Sequence, residues 1–305
     1  MKLFSHIILA MVFMLCITGG LATHAKEQPR QKISAHMRVK NEILTVGATL
    51  NSIDGLFDRI VITHSNEKDD GSIDFMHKWC AKRPYCEIYE YPYTVYPSLT
   101  KIYREGIKPE NTMAEFGNFG LSKFDPEEWV VNIDADQVYI RERLAALVAQ
   151  IRQEYPKNEK FEYCMKGLNT FSWKNILVKV RPQPIMGVYC DHYAIKKKNL
   201  LPYEIFGSQF AIKLAPGTIY APLADVYWFH FKKVLKDNGK FFDKDTAEEK
   251  AITYLNDEEA DLYIRHIAHY FPPDNPYSLY HMTLFQLPPD PYGEPPDPYA
   301  KPVMP

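Results

Sequence analysis

The sequence lacks both a strong excess of charge and a long internal repeat. Its 36 Lys and Arg residues against 38 Asp and Glu residues leave a formal net charge of −2, which gives no electrostatic argument for nucleic-acid binding. One short segment, Pro-Pro-Asp-Pro-Tyr, recurs at 288–292 and 295–299, so the chain is not a repeat array. The 46% hydrophobic content of its 305 residues is enough for a full core, and we expect one sizeable domain with appendages.

The continuous apolar run Ile7–Ala22 is short for a transmembrane helix. It follows Lys2 and ends in Ala22-Thr23-His24-Ala25, which resembles a small-residue cleavage site. Residues 1–25 are therefore predicted to be a signal peptide or, if uncleaved, a membrane anchor. Either reading places the protein at a membrane or in the secretory pathway. The cations that follow an uncleaved anchor would favour a cytoplasmic main domain, so the side of the membrane stays open.

Cysteine is scarce, and four of the five cysteines follow this run: Cys80, Cys86, Cys164 and Cys190. An even count permits two disulfides, with three possible pairings, in an oxidising compartment. Four buried thiols would be equally ordinary in a cytoplasmic protein. The cysteine pattern therefore leaves the redox state open.

Strand-like and helix-like periodicities alternate along the first half of the chain. Strands are predicted at 32–39, 58–63 and 86–89, and apolar residues at helical spacing follow the first two. A further helix is predicted from about Thr112 to Phe124, with Asn111 as its N-cap. This alternation is typical of an α/β fold.

The next strand, Trp129–Asp134, ends in two carboxylates separated by one alanine, those of Asp134 and Asp136. In an open α/β sheet, ligands bind beyond the carboxyl ends of the strands. Carboxylates at that position suit Mg²⁺ or Mn²⁺ carrying a diphosphate. The motif is short and also arises by chance, as a strand end with two solvated acids, so its context decides its meaning.

Four segments occur in the order found in family 2-like glycosyltransferases of the GT-A fold, which this sequence resembles over roughly residues 32–140. They are Arg38-Val39-Lys40-Asn41-Glu42, Asp69-Asp70-Gly71-Ser72-Ile73-Asp74, Asn118-Phe119-Gly120-Leu121, and Trp129 through Asp136. The resemblance implies a Rossmann-like, mixed but mainly parallel sheet flanked by helices. Two features depart from the family pattern: Gly117 stands where Arg or Lys is usual, and the Asp-Asp-Gly-Ser run follows its strand at a distance of several residues.

The same resemblance implies a nucleotide-sugar donor site, with the base and ribose near Asp69 or Asp70. Asp134 and Asp136 would hold the divalent metal on the donor diphosphate. The donor-binding residues implied in this way are Arg38, Lys40, Glu42, Asp69, Asp70, Asn118 and Asp134.

Two further donor-side candidates lie in the aromatic segment Tyr227–Lys233. GT-A enzymes often have a histidine near the end of the catalytic domain, and His230 stands in the corresponding place as a third metal ligand. The alternative is a histidine that packs in the core of an aromatic strand. Lys232 could neutralise the leaving diphosphate.

The acceptor side needs a group that takes the proton from the acceptor hydroxyl. The candidates are Asp191, His192, Glu204 and Asp225. Asp191 ranks first because it follows the strand-like run 184–190, although it could equally cap a turn before the lysines at 196–198. Aromatic side chains that could stack on sugar rings are Trp173, Tyr193 and Tyr203, although core packing explains Trp173 at least as well.

The C-terminal part is predicted to be peripheral. Residues 241–270 are expected to form accessory helices at Asp245–Leu255 and Asn256–Tyr270, the second with Asn256 as its N-cap. Proline is concentrated in residues 271–305, which are predicted to form an extended, mostly disordered tail.

The sequence thus predicts a catalytic domain over residues 30–240. Its expected activity is a glycosyltransferase of the hexosyltransferase type, using Mn²⁺ or Mg²⁺ and acting on a saccharide or lipid-linked acceptor, with inversion implied by the resemblance. One alternative is a non-catalytic, secreted carbohydrate-binding protein with a degenerate GT-A fold. The second, a nucleotidyltransferase, would be favoured by a glycine-rich basic loop after the first strand, and the sequence has none there.

Overall fold

The computed structural model describes residues 30–65, 69–96, 106–173, 176–180, 192–206, 209–231 and 252–278. The chain divides into two units, residues 1–31 and 32–305, and every element below belongs to the second. Within the described ranges, no helix has the length and apolar character needed to cross a membrane.

The described strands are β1 (Ile33–Val39), β2 (Arg59–Ser65), β3 (Cys86–Tyr91), β4 (Trp129–Asp134), β5 (Gln137–Tyr139), β6 (Phe161–Trp173), β7 (Ile176–Val180), β8 (Tyr193–Lys196), β9 (Leu200–Phe206), β10 (Gln209–Leu214), β11 (Ile219–Phe231) and β12 (Ile252–Tyr254). The α-helices are α1 (Val46–Ile53), α2 (Ser72–Cys80), α3 (Met113–Leu121), α4 (Arg141–Glu154) and α5 (Asp257–His266). Short 3₁₀ turns lie at Pro109–Asn111, Lys197–Asn199 and Ala268–Tyr270.

One large mixed sheet has the strand order β12-β7-β6-β8-β4-β1-β2-β3. The four strands from β4 to β3 run parallel, as the βα alternation predicts, whereas β8 is antiparallel to both of its neighbours. Strand β11 pairs in parallel with β6. Near its C-terminal end, Trp228–His230 pair antiparallel with the short β5. The hairpin β9–β10 forms a separate two-stranded sheet. The predicted α/β fold class is confirmed.

Alternate residues of β1 and β4 face opposite sides of the sheet, and both sides are covered. On one side, Met37 and Ile133 belong to a core with apolar residues of α1 and α4. On the other side, Val130 belongs to a cluster with residues of α3, β8 and β9. Burial on both faces explains the continuous apolar run Trp129–Val131 of β4, whereas β1 alternates apolar residues with the buried polar residues Ser34, His36 and Arg38.

Helix α3 lies very close to the sheet because two of its positions have no side chain. A Cβ added to Gly120 would lie 2.0 Å from Nε2 of His36, and one added to Gly117 would lie 2.6 Å from the ring of Tyr203. The predicted N-cap Asn111 is wrong. Thr112 caps α3, because its side chain accepts a hydrogen bond from the backbone N–H of Glu115.

The two N-terminal cysteines of the described region are disulfide-bonded to each other. The bond joins Cys80, at the end of α2, to Cys86, at the start of β3. Cys164 is also disulfide-bonded, and Cys190 lies outside the described residues. The alternative of four buried thiols is therefore wrong.

The C-terminal part differs from its prediction at two points. Asn256 caps α5 with a complete capping box, as expected, but residues 252–254 form β12, paired with β7, rather than the end of a helix. Residues 245–251 lie outside the described part. The prediction of a disordered tail is wrong for residues 271–277, since Phe271 and Tyr277 are buried against Phe231. Residues 279–305 are outside the description.

Candidate active site

The carboxyl ends of β1, β2 and β4 lie side by side at one edge of the parallel sheet. The turn after β1 includes Asn41, whose φ of 56° is in the left-handed region that Asn tolerates better than most residues. A narrow cleft at this edge is lined by residues of the turns after β1 and β2: Val39, Lys40, Asn41, His64, Ser65, Asp69, Ser72 and Ile73. No sequence pattern indicated His64. In the family pattern the Asp-Asp-Gly-Ser run directly follows the tip of the strand, and in this chain His64 stands near that tip.

Asp69 and Asp70 form hydrogen bonds to the backbone around this cleft. Asp69 accepts hydrogen bonds from the backbone N–H groups of Gly71 and Ile73, over 2.9 and 3.1 Å, at the start of α2. Asp70 accepts from Ser72 and, over 3.2 Å, from the backbone N–H of Ile43 in the turn after β1. Asp69 therefore fixes the start of α2, and Asp70 joins it to the turn after β1. Of the pair, Asp69 lines the cleft.

Arg38 and Asp134 form an ion pair across the strands. They lie opposite each other in the parallel register of β1 and β4, and the guanidinium donates to the carboxylate over 3.2 Å. The Arg38 side chain is buried, at 7% exposed, and that of Asp134 is 28% exposed. Burial alone would raise the pKa of Asp134, but the charge of Arg38, together with its hydrogen bond and the nearby His192 and His230, holds the pKa below its ordinary value. Asp134 is therefore ionised at neutral pH and neutralises a buried cation.

Asp136 faces His230, which comes from the distant strand β11. Nε2 of His230 lies 2.8 Å from Oδ2 of Asp136, and Nδ1 of the same ring lies 2.8 Å from Oδ1 of Asn169 on β6. The pairing follows from the sheet, because His230 lies opposite Gln137 on β5 and opposite Asn169 on β6. The predicted neighbours Asp136 and His230 do come together. Asn169 was missed, and no local sequence signal could have found it.

A second histidine lies between Asp134 and an aromatic ring. His192 is within 3.1 Å of the side-chain amide of Gln137, and its Nδ1 is 3.9 Å from Oδ2 of Asp134. Its ring lies 4.4 Å, centroid to centroid, from that of Trp228 in an edge-on contact. Gln137 is fully buried and also accepts a hydrogen bond from Tyr139. Sequence reasoning missed Gln137, although it directly follows the Asp-x-Asp motif.

Three of the predicted donor-binding residues have contacts that hold the fold. The side-chain oxygen and nitrogen of Asn118 bond to the backbone N–H and carbonyl of Tyr203, over 2.7 and 3.1 Å, which joins α3 to β9. The ammonium of Lys40 donates to the carbonyl of Val95. The backbone of Glu42 accepts from Val46 at the start of α1. Lys232 lies outside the described residues.

The acceptor-side candidates are distributed over different surroundings. His192 is the one placed beside Asp134, whereas Glu204 is exposed and paired with Lys213, and Asp225 is exposed. Asp191 lies outside the described residues. The sugar-stacking prediction for Tyr193 and Tyr203 is wrong, because both rings are buried and their hydroxyls bond to each other over 2.5 Å. The side chain of Trp173 is not among those described.

A more open cleft of about 500 Å³ adjoins α3. It combines aromatic rings with carboxylates and an amide: Tyr91, Tyr93, Pro109, Glu110, Glu115, Asn118 and Phe119. Tyr93 is 47% exposed and its ring lies 5.5 Å from that of Tyr91. Faces of this kind suit the C–H surfaces of sugars, and carboxylates accept hydrogen bonds from hydroxyls.

The fit of a divalent cation can be judged from the donors present. The described residues contain no group of three or more potential ligands. Asp136 and His230 converge on one point as a carboxylate and an imidazole, each about one fifth exposed. One or two protein ligands plus phosphate oxygens and waters are the usual complement of Mg²⁺ on a nucleotide. The pair fits such an ion, and the full set of three predicted ligands stays a prediction.

A sequence model of the family described as β-1,4-N-acetylgalactosaminyltransferase (CgtA) matches residues 24–220, which is more than half of the chain. The chain belongs to this family. The CgtA match runs from before β1 to the start of β11, so it includes Arg38, Asp134 and Asp136. Membership in the CgtA family confirms the glycosyltransferase relationship that the sequence motifs predicted.

Solved structures give weaker similarities to this CgtA-family chain. TarS of S. aureus (residues 1–349, in complex with UDP) aligns with a TM-score of 0.42 and 12% identity over 66% of this chain and 61% of that one. Glucosyl-3-phosphoglycerate synthase from Mycobacterium tuberculosis, in complex with Mn²⁺, UDP and phosphoglyceric acid, aligns with a TM-score of 0.30 and 17% identity over 47% and 44%. The chain thus spans less than two thirds of either. No curated protein matches it significantly.

Proposed function

We propose that this protein transfers a hexosyl group, with N-acetylgalactosamine as the first sugar to test, from a nucleotide-sugar donor to a saccharide or lipid-linked acceptor. The observation that carries the proposal is the family match over residues 24–220. The family description supplies the sugar and the β-linkage. A β-linkage made from an α-linked nucleotide sugar requires inversion, which supports the inverting mechanism that the sequence resemblance implies.

The donor is proposed to bind at the edge where β1, β2 and β4 end. Residues that line the narrow cleft, among them Lys40, His64 and Asp69, would contact the nucleoside, which binds over the cleft because the cleft itself has room for little more than a water molecule. Asp136 and His230 would hold Mn²⁺ or Mg²⁺, which when bound stabilises negative charge on the leaving diphosphate. Asp134, kept ionised by Arg38, is positioned to accept hydrogen bonds from donor hydroxyls rather than to serve as a free ligand.

The acceptor is proposed to approach from the side of His192. Asp191 remains our first candidate for the proton acceptor. His192 is the second, because its ring is fixed between Gln137 and Trp228 and lies 3.9 Å from Asp134. The open cleft with Tyr93 and Glu115 offers aromatic and carboxylate groups for the remainder of a saccharide acceptor.

We further propose that the domain acts in an oxidising, secretory compartment, associated with a membrane if the N-terminal run is retained. The disulfide between Cys80 and Cys86 supports this location, since such bonds persist outside the reducing cytosol. Expression with and without the first 25 residues, followed by fractionation and thiol counting, tests it. Free thiols at both Cys80 and Cys86 in native protein would contradict the proposal.

The decisive test of the activity is calorimetric titration of the full chain with UDP and with GDP, each with and without Mn²⁺. We expect one nucleotide to bind only with Mn²⁺, and Asp136→Ala to abolish that binding. Asp261→Ala removes a more exposed carboxylate, from a surface ion pair with Arg265, and should change nothing. Absence of binding in folded protein under every condition would favour the non-catalytic carbohydrate-binding alternative.

Turnover is then measured as UDP release from UDP-N-acetylgalactosamine in the presence of saccharide acceptors. Release that requires an acceptor, Mn²⁺ and Asp136 supports transfer. Metal-dependent nucleotide binding without turnover on any sugar donor would leave a nucleotide-binding protein and contradict the enzymatic proposal.

A further inference from the structure

The imidazole of His230 is held from both sides by groups that come from different strands. Nε2 lies 2.8 Å from Asp136, and Nδ1 lies 2.8 Å from the side-chain oxygen of Asn169. The backbone carbonyl of His230 also accepts from the hydroxyl of Thr170, the residue after Asn169, over 3.2 Å. Strands β6 and β11 therefore fix both the backbone and the ring at this position.

The contact with Asn169 decides which ring nitrogen is available to a cation. A carboxamide oxygen only accepts hydrogen bonds, so Nδ1 must carry the hydrogen that it shares with Asn169. In a neutral imidazole the other nitrogen, Nε2, then has the lone pair, and because the Asp136 carboxylate is also an acceptor, the 2.8 Å contact between them requires a cation shared by the two. Nε2 is also the nitrogen directed at Asp136, where the proposed divalent ion would be bound.

We propose that Asn169 is a positioning residue that holds His230 in the Nδ1–H tautomer and aims Nε2 at the cation site formed with Asp136. This inference rests on the proposed function, because it assumes that a metal–nucleotide complex binds there. Asn169 touches neither the cation nor the donor in this scheme. It acts through His230, in the way that partners of metal-bound histidines orient the ring and set its tautomer.

The family match gives Asn169 no role, and nothing in its local sequence, Gly167-Leu168-Asn169-Thr170, marks it. Its neighbour Gly167 allows Trp228 to lie directly on β6, since an added Cβ would be 2.0 Å from the indole. The same close approach of β6 and β11 brings Asn169 level with His230. The geometry of the contact thus depends on tight packing of two 13-residue strands whose pairing shifts register between Pro222 and Trp228.

The test compares three variants of the full chain by titration of Mn²⁺ in the presence of saturating UDP. Asn169→Leu keeps the approximate volume but removes the acceptor, and we expect Mn²⁺ affinity to fall about 10- to 100-fold. Asn169→Asp keeps an acceptor oxygen and should restore affinity to within a few fold of wild type. Asn51→Ala, which removes an exposed amide that accepts from Trp79 over 3.0 Å, serves as the matched control and should bind as wild type.

A measurement on the wild-type protein keeps the proposal testable even if Asn169→Leu does not fold. In ¹⁵N-resolved NMR of the imidazole nitrogens with UDP and Mg²⁺, the His230 ring should show its proton on Nδ1. A proton on Nε2 under these conditions would overturn the proposal, as would wild-type Mn²⁺ affinity in folded Asn169→Leu.

Failure of the proposed function and failure of the role of Asn169 give different results. Wild-type protein that binds no metal–nucleotide complex contradicts the proposed function itself. Wild-type protein whose binding requires Asp136, combined with an Asn169→Leu variant that binds equally well, contradicts only the role of Asn169.

Discussion

Asp134 and Asp136 are separated by one alanine, yet they lie in two different regions of the molecule. The Asp134 region is the parallel sheet of β1 and β4, where the carboxylate neutralises the buried guanidinium of Arg38. The Asp136 region is the junction with β11, where the carboxylate faces His230 and both side chains are about one fifth exposed. The same motif therefore places one acid in a structural ion pair and the other in an accessible pair of potential ligands.

The two regions also depend on different parts of the chain. The Asp134 region is formed by strands that are neighbours in the parallel sheet, in register over the whole length of β4. The Asp136 region requires β11, whose last residue, Phe231, packs against Phe271 and Tyr277 from the C-terminal segment. A segment predicted from composition to be a peripheral tail thus supports the strand that carries His230.

The largest effect is expected from Phe271→Ala, which removes a ring that is 6% exposed and lies 4.9 Å from that of Phe231. We expect a loss of about 3 to 4 kcal/mol in the free energy of unfolding and a marked loss of Mn²⁺-dependent UDP binding. The matched control is Phe124→Ala, equally buried at 6% but packed on His36 in the Asp134 region. It should cost similar stability in urea unfolding and retain metal affinity. Equal metal affinity in the two variants would remove the distinction between the regions.

A smaller effect on stability should separate the two aspartates themselves. Asp134→Ala leaves the buried guanidinium of Arg38 without its carboxylate, and since Asp134 is partly exposed we expect a cost of about 2 to 3 kcal/mol. Asp136→Ala removes an accessible side chain and should change the free energy of unfolding by less than about 0.5 kcal/mol. Urea unfolding monitored by tryptophan fluorescence measures both. If Asp136→Ala proved the more destabilising change, the assignment of structural and ligand roles would have to be exchanged.

His36→Leu, in the Asp134 region, should have the smallest effect on the free energy of unfolding at neutral pH. Its effect should be clear in acid. His36 is fully buried, neither ring nitrogen has a hydrogen-bond partner among the described residues, and burial, followed by the charge of Arg38, lowers its pKa to about 3. A histidine that stays neutral when folded contributes stability above its unfolded pKa of about 6.5. That stability is lost as pH falls towards about 3, because the unfolded chain takes up the proton first.

The pH dependence of His36→Leu should therefore be flatter than that of wild type between about pH 6.5 and pH 4. The lowered pKa of Asp134 acts in the same direction at lower pH: its contribution is present above the unfolded pKa and is lost as pH falls through the folded one. Unfolding titrations at several pH values measure the slope. Parallel curves for the variant and wild type would show that His36 is not responsible.

Strong local patterns allowed the elements that frame the proposed donor site to be predicted. The segments at β1, β2 and β4 are rich in apolar residues that are buried in the sheet, and this marks their position in the chain. Helix ends were less predictable, because Asn111 and Thr112 are both good caps and only the backbone path decides between them. The expected helix at 252–255 was wrong for a related reason: a short segment adopts the structure that its neighbour, here β7, can pair with.

Among the site residues, the prediction was best where acidic side chains stand at the end of a predicted strand. Asp134 and Asp136 come to the sheet edge because they terminate a strand. Asp69 and Asp70 lie at the same edge, but the fold uses their carboxylates to cap α2 and to join two turns. Asn118 likewise bonds to the backbone of β9. A polar residue in a motif can serve the backbone as readily as a ligand, and the sequence pattern is the same in both cases.

By itself, the sequence determined the order of strands and helices from β1 to β4, the carboxylates at the end of β4, and the family to which the chain belongs. These properties depend on local periodicity and on motifs of a few residues. The tertiary structure decided that Asp134 pairs with Arg38, that Asp136 faces His230, and that Asn169 lies behind His230. Each of those contacts joins residues about 60 or more positions apart, and only strand register and packing place their atoms within hydrogen-bonding distance.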